Sequence, residues 1–456
     1  MDPLLLSRIQ FAFLIAFHFL LPAFTIGLAS YIAVLEGLFL WTRRETYLRV
    51  SAFWIRIFAV SFGMGVVSGI VMPFQFGTNW SRYSELTAGV VGPLMGYEAL
   101  MAFFLEAAFL GILLFARKRV PQWVHFASAI IVASGTLFSA FWILAANSWM
   151  QTPAGFEIIE GHFVPTDWIK AIFNPSLPYR LAHTVTAVYL TTGFTVIGVA
   201  AWYLRHGRFV EESRLMIMMG ILLASVLVPL QALLGDLHGV NTFVHQPQKL
   251  AAMEGIWESG SGQPAILFAV PDEALEKNHA QIGIPKLASL YLTHDWSGHV
   301  RGLKDFPRED RPPVALTFFS FRVMVGMWGV MLALTVWAWV LWARGKLYES
   351  SSFLRAANGS VPLGYIAVTA GWFTTEVGRQ PWVVYGHVRT ADAVTPSLTG
   401  GDVAISLLVY IVVYALIFGA GLYYLLRLVQ RGMPDELPEL GADQRPARPF
   451  SAATRG

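Results

Sequence analysis

The sequence contains no cysteine. That absence excludes disulfides, cysteine-ligated iron–sulfur clusters, thiolate nucleophiles and covalent c-type haem attachment, so any metal must be held by His, Met, Glu or Asp. Charge is also scarce, at 13% of 456 residues. The net charge of +3 is small and has no basic cluster of the kind that binds nucleic acid. What the chain does have is apolar length. Hydrophobic residues make up 55% of it and the mean hydropathy is +0.54, values far from a soluble globular domain and close to a polytopic membrane protein.

Apolar runs able to cross a hydrocarbon core of ~30 Å, about 20 helical residues, centre on residues 9–38, 53–76, 91–116, 122–147, 181–204, 215–237, 314–343, 362–385 and 402–427. The expectation is an all-α, polytopic membrane protein with nine transmembrane helices. The connections after the first, third, fifth and seventh runs are basic, with Arg43, Arg44 and Arg49, then Arg117, Lys118 and Arg119, then Arg205, Arg208 and Arg214, then Arg344, Lys346 and Arg355. Lys/Arg excess marks the cytoplasmic side, which puts the N-terminus outside and the C-terminus in the cytoplasm. The first run follows Arg8 but has no small-residue cleavage pattern, so it reads as a retained helix. No internal repeat of useful strength is present, which weakens a transporter built from inverted halves. The organisation expected is helices one to six over 1–237, an outer loop over 238–313, helices seven to nine over 314–430, and a cytoplasmic tail over 431–456, rich in Pro and charge and expected to be disordered.

A charge at the centre of a membrane span costs about 2.5–3.5 kcal/mol on insertion scales, so each one needs a partner or a function. The candidates are His18, Glu98, Glu106, His183, Arg322, Glu376 and Arg379. Counting ~1.5 Å per residue along each helix places His18, Glu98, His183, Arg322, Met324, Glu376 and Arg379 at one depth in the outer half, with Glu106 toward the cytoplasm. A His and a Met on different helices can clasp a haem iron, whereas a His or Glu opposite an open position leaves iron free for O2. Arginines beside them suit haem propionates. Each residue also has an ordinary reading. A lone membrane His packs helices, a Met fills space, and Glu376 with Arg379 forms an i,i+3 ion pair. Glu98 and Glu106 lie within about 80° on a helical wheel, and His125, at an inner helix start, reads as interfacial. A secondary transporter would equally account for buried charge at the midplane.

The local sequences are more specific. SRIQFAFLIAFHFLLP around His18, PFQFGTNWSRYSE, GYEALMAFFLEAAFLG around Glu98 and Glu106, FWILAANSWMQTPAG, LAHTVTAVYLTTGF around His183, HQPQKLAAMEGIWES, FFSFRVMVG around Met324 and GWFTTEVGRQPW around Glu376 together resemble subunit I of the cytochrome bd-type quinol oxidases, including the cyanide-insensitive branch. The resemblance runs along nearly all of residues 5–430. It implies His183 and Met324 as axial ligands of a low-spin haem b, with Arg322 beside it. It implies His18 and Glu376 as ligands of two further haems, a high-spin b and a d or third b, where O2 is reduced. Trp372 and Arg379 join the cofactor-binding set, the latter as a partner for propionates or a nearby carboxylate, so that it need not be a salt bridge to Glu376. Glu98 matches an acid at the dihaem site and Glu106 one on a proton route from the cytoplasm. Lys249 and Glu254 match the outer quinol-binding loop, which is of the short type.

What the resemblance implies for function is a terminal oxidase of the bacterial cytoplasmic membrane. Ubiquinol or menaquinol is oxidised at the outer face and O2 is reduced to water with protons from the inside, so charge separates without a pump. The partners implied are a second multi-pass subunit, a small single-helix protein, quinol, O2 and the lipid bilayer.

Overall fold

A computed structural model describes residues 2–440 apart from 102, 103, 105 and 435. The chain is built mostly of helices: α1 (Pro3–Leu20), α2 (Pro22–Thr42), α3 (Glu45–Thr78), α4 (Ser81–Met101), α5 (Ala107–Phe115), α6 (Gln122–Gln151), α7 (Trp168–Ile172), α8 (Leu177–Arg205), α9 (Val210–His245), α10 (Pro247–Glu254), α11 (Leu287–Thr293), α12 (Val314–Ala343), α13 (Ser351–Gly359), α14 (Val361–Val377) and α15 (Gly400–Arg431). The strands are short: β1 (Phe156–Ile159) with β2 (His162–Pro165), β3 (Gly260–Ser261) with β6 (His299–Val300), β4 (Ala265–Asp272) with β5 (Lys277–Ile284), and β7 (Trp382–Val384) with β8 (Val388–Arg389), all antiparallel.

Among the described residues, seven helices are long and apolar enough to cross a membrane, counting α1 and α2 as one 40-residue rod. Pro22 stands at the start of α2, where its missing N–H costs nothing because that position has no helical partner anyway. Of the two expected spans outside the seven, the third, expected over 91–116, includes residues 102, 103 and 105, which lie outside the described residues; it carries α4 and α5, and Phe104 and Glu106 take the wider π-type turn, a form often found at functional sites. A single helical wheel therefore does not relate Glu98 to Glu106. The eighth, expected to reach residue 385, ends at Val377 after 17 residues, about 25 Å at 1.5 Å per residue. Pro381 follows, and a proline drives the residue before it out of helical backbone, so the chain turns into the β7–β8 hairpin instead.

The largest fully buried side chains include Trp54, Phe53, Phe58, Tyr203 and Phe194, which join α3 and α8 into the main core together with α2 and α9. Alpha8 is enclosed along most of its length, whereas α15 leaves most of its apolar surface uncovered, as expected of a peripheral span facing lipid or another membrane subunit. Within the stretch 238–313 expected as the outer loop, the chain first continues α9 to His245. It then folds into α10, the β4–β5 hairpin and α11, with its own small core of Leu250, Ile256, Ala265, Ala288, Leu292 and Val300. In the tail, Met433 is buried and Glu439 reaches Lys118 at 2.8 Å. Residues 441–456, part of the stretch expected to be disordered, lie outside the described residues.

His125 corrects another expectation. It is buried, with Nδ1 3.1 Å from Glu36 Oε2 and Nε2 3.1 Å from the Leu113 carbonyl. Glu36 also takes hydrogen bonds from Ser51 and Arg117. The cluster ties α2, α3, α5 and α6 together at the end of the bundle that carries the basic connections.

Candidate functional site

Each of the three neutral ligand candidates faces a glycine on a neighbouring helix. The His18 ring, at the end of α1, is 3.0 Å from Ser68 Oγ through Nδ1, and a Cβ on Gly69 would lie 3.1 Å from its Cε1. His183, near the start of α8, has a buried Nδ1 with no hydrogen-bond partner among the described residues. A Cβ on Gly235 of α9 would lie 3.5 Å from its Cε1, and its ring meets the edge of His238 with centroids 5.4 Å apart. Met324 of α12 points at α14, where a Cβ on Gly371 would lie 2.9 Å from its Sδ. The next residue, Trp372, tilts over Phe19 with ring centroids 5.7 Å apart. Phe19 follows His18 directly, so this contact brings the His18 helix against the helix that carries Glu376 one turn further on.

Glu376 is the hub of a buried polar network. Its Oε1 accepts from Asn147 Nδ2 at 3.0 Å and Gln151 Nε2 at 3.4 Å, and its Oε2 pairs with Arg379. Of the readings left open for Glu376 and Arg379, the i,i+3 ion pair is present, because that spacing on the last turn of a helix brings them together. The pairing nonetheless leaves Arg379 Nε and Nη1 buried without partners among the described residues. Asn147 also accepts from Arg180, whose Nε reaches Ser148 Oγ at 3.0 Å. Gln151 Oε1 accepts from Lys249 Nζ at 2.6 Å, and Gln246 Oε1 accepts from the same ammonium at 2.7 Å. Burial, followed by the charge of Arg180, holds Lys249 well below the usual lysine range. Three basic side chains, Arg180, Lys249 and Arg379, thus surround one carboxylate.

Arg322 is a second junction. From α12 its guanidinium donates to the Met253 carbonyl, to Ile266 O at 2.9 Å through Nε, and to Glu254 Oε2 at 3.1 Å through Nη2, with Phe318 beneath it at 4.2 Å. These bonds tie α12 to α10 and β4. Glu98 stands apart from these groups, accepting from Ser139 Oγ of α6 at 2.9 Å, and Glu106 is buried just before α5.

The structure thus brings Glu376, Arg379 and Lys249 into one network, Arg322 onto Glu254, and His18 near Trp372 through Phe19. Sequence reading passed over Asn147, Gln151, Arg180, Gln246 and His238. A signal for the first two existed: Asn147 and Gln151 are four residues apart in an apolar helix, hence on one face.

The donor set can be tested against the group the resemblance implies. An unpartnered imidazole nitrogen, a thioether and a carboxylate are iron ligands of the kinds that hold haem. Glycines opposite the ligand side chains leave room a Cβ would fill. Buried guanidinium nitrogens without acceptors, in an enclosure with more cations than anions, call for carboxylates, and haem propionates are such. These residues fit haem.

Comparison with known proteins agrees over the whole length. The family model for cytochrome bd terminal oxidase subunit I matches residues 6–433. The chain is 38% identical over 447 residues to cytochrome bd ubiquinol oxidase subunit 1 of Bacillus subtilis, covering 95% of this chain and 94% of that one. It is 32% identical over 499 residues to cytochrome bd-II ubiquinol oxidase subunit 1 of Escherichia coli, covering 94% and 97%. Its fold matches the bd oxidase structure from Geobacillus thermodenitrificans with a TM-score of 0.87 and 31% identity, over 94% of this chain and 99% of that one. On sequence, fold and site together, the chain belongs to the cytochrome bd terminal oxidase subunit I family.

Proposed function

We infer that this chain is the haem-bearing subunit of a terminal quinol oxidase, an oxidoreductase of a bacterial respiratory chain that works with a second subunit. Family membership sets aside the transporter alternative. The finer reading is that the chain crosses the cytoplasmic membrane nine times, N-terminus outside, with α4–α5 and the short α14 completing the seven longer spans. Residues 238–313 then form the outer quinol loop and 431–456 the cytoplasmic tail.

His183 with Met324 would hold a low-spin haem b, and His18 and Glu376 the two other haems, a high-spin b and a d or third b. Haem supplies one-electron transfer and the iron chemistry of O2 reduction. Arg379 offers its unpartnered nitrogens to propionate oxygens, and Trp372 packs beside the site through Phe19. Lys249 and Glu254 lie on α10 and are suited to a quinol headgroup, the ammonium as donor and the carboxylate as acceptor of a hydroxyl hydrogen bond. Arg322 and Gln246 position them. Glu98 is the acid at the dihaem site, and Glu106, the nearer in sequence to the Arg117 connection, serves as the inner source of protons. Quinol protons released outside and oxygen protons taken from inside separate charge without a pump. A small single-helix protein would complete the complex, and the quinol is ubiquinol or menaquinol.

The observation that carries this reading is the network around Glu376, where a carboxylate ligand candidate lies among three basic groups, one with two unpartnered donor nitrogens. The test is a visible spectrum of the purified complex with analysis of extracted haem. Three haems and a low-spin band lost in Met324→Leu are expected. A full low-spin band in Met324→Leu would overturn the ligand assignment.

A further inference from the structure

We propose that the outward face of the β4–β5 hairpin rests in the lipid leaflet on its side of the membrane, as a flap whose inner face covers the Arg322–Glu254 pair. The hairpin has two unlike faces. On β4, Ile266 and Ala269 are buried against Phe318, and the Ile266 carbonyl accepts from Arg322. Leu267 and Phe268, by contrast, are about half exposed, at 55% and 47%. Two irregularities in the pairing flank Phe268; a bulge re-aims side chains, and here it turns two consecutive apolar residues outward. On β5, Ile282 pairs with Phe268 and Ile284 with Ala265, and both isoleucines are exposed.

The ends of the hairpin differ in the direction a membrane would impose. The turn carries Asp272, Glu273, Glu276 and Lys277 and sits by the start of α12, where Glu273 accepts from the Val314 N–H at 2.8 Å and Glu276 pairs with Arg308 and Arg311. The opposite end is apolar on its outer face and lies at Arg322, eight residues further into the span. Alongside, α12 leaves Leu316 and Phe319 exposed, and Phe319 contacts Phe268 with ring centroids 6.4 Å apart. The apolar face of the hairpin is thus continuous with the uncovered face of a membrane span. An apolar patch in this setting matches lipid rather than water.

The inference deepens the quinol-loop reading: one layer of chain would separate the proposed quinol site from the bilayer that holds a lipid-soluble substrate. The absence of cysteine makes a direct test simple. Leu267→Cys and Ile282→Cys, each labelled with an environment-sensitive fluorophore in the whole complex in nanodiscs, should lose fluorescence to lipids carrying a nitroxide on the upper acyl chain and keep it in iodide. Leu275→Cys, in the turn, should show the reverse. Quenching of Leu267→Cys and Ile282→Cys by iodide alone would overturn the proposal in favour of water. Protection from both quenchers would overturn it in favour of a covering protein. The two cysteine positions lie on different strands, so one serves if the other prevents assembly, and an unchanged haem spectrum confirms the fold. Lipid contact is read independently of quinol turnover, so failure of the quinol assignment would show separately as unaltered quinol KM in Glu254→Gln.

Discussion

The three glycines that face the ligand candidates allow a graded test. In Gly371→Ala the new methyl would lie 2.9 Å from Met324 Sδ, well inside ordinary contact. Overpacking of this kind costs about 1–3 kcal/mol, and the gain from replacing a helical glycine by alanine, about 0.5–1 kcal/mol, offsets part of it. A net loss of about 1–2 kcal/mol corresponds to a factor of about 5–30 in an equilibrium, here that between a ligated and a displaced sulfur. A free methionine side chain would simply swing away, whereas one fixed as a ligand must carry the strain. Gly69→Ala, with 3.1 Å to the rigid His18 ring, should also be impaired. Gly235→Ala, with 3.5 Å to His183, makes a normal contact and should be neutral or slightly stabilising. Reduced-minus-oxidised spectra and haem-to-protein ratios of the purified complexes measure all three. If Gly235→Ala disturbed the low-spin band as much as Gly371→Ala, the idea that these glycines make room for ligand side chains would be wrong.

Further outcomes follow from the two buried charge clusters. Glu36→Gln leaves Arg117 and His125 enclosed without their carboxylate, and breaking a buried pair costs about 3–5 kcal/mol; the thermal midpoint of the detergent-solubilised complex should fall sharply. No drop would show that the cluster is solvated. Lys249 links stability to pH in a definite direction. Its folded-state pKa is lowered, so the unfolded chain binds more protons between that value and 10.5, and stability rises with pH across this window. Thermal unfolding at stepped pH should show that slope, and Lys249→Met should flatten it. An unaltered slope in the variant would assign the effect to another group. Arg379→Gln should lower haem retention more than Arg322→Gln does, because Arg322 is already saturated by loop carbonyls and Glu254.

The sequence made the spans and the ligand candidates legible because both depend on local signals, apolar length and short motifs. His18, His183, Met324 and Glu376 lie on four separate helices, yet each could be picked out from its own segment. Contacts between distant segments were harder to read. His125 sits at the start of its span and so looked interfacial alone; only packing of α2 on α6 makes it a buried pair with Glu36. Arg322 was placed by depth and by the resemblance, but its partners Met253, Glu254 and Ile266 come from a loop folded back along α12, which no local signal shows. The π-type turn at Phe104 and Glu106 was hidden because a continuous apolar run carries no sign of one. The end of α14 was legible in principle, since Pro381 was present in the expected span.

Gln151 connects the two halves of this site through one primary amide. A carboxylate can only accept hydrogen bonds and an ammonium can only donate them, so with Glu376 at Nε2 and Lys249 at Oε1 the amide has a single workable orientation. That gives the link a polarity. Rotating the amide would set donor against donor and acceptor against acceptor at both ends at once, so the loop and the candidate ligand report on each other through a side chain that carries no charge and cannot titrate. Glutamate at this position would keep the shape and the grip on Lys249, but it would set two carboxylates against each other at Glu376.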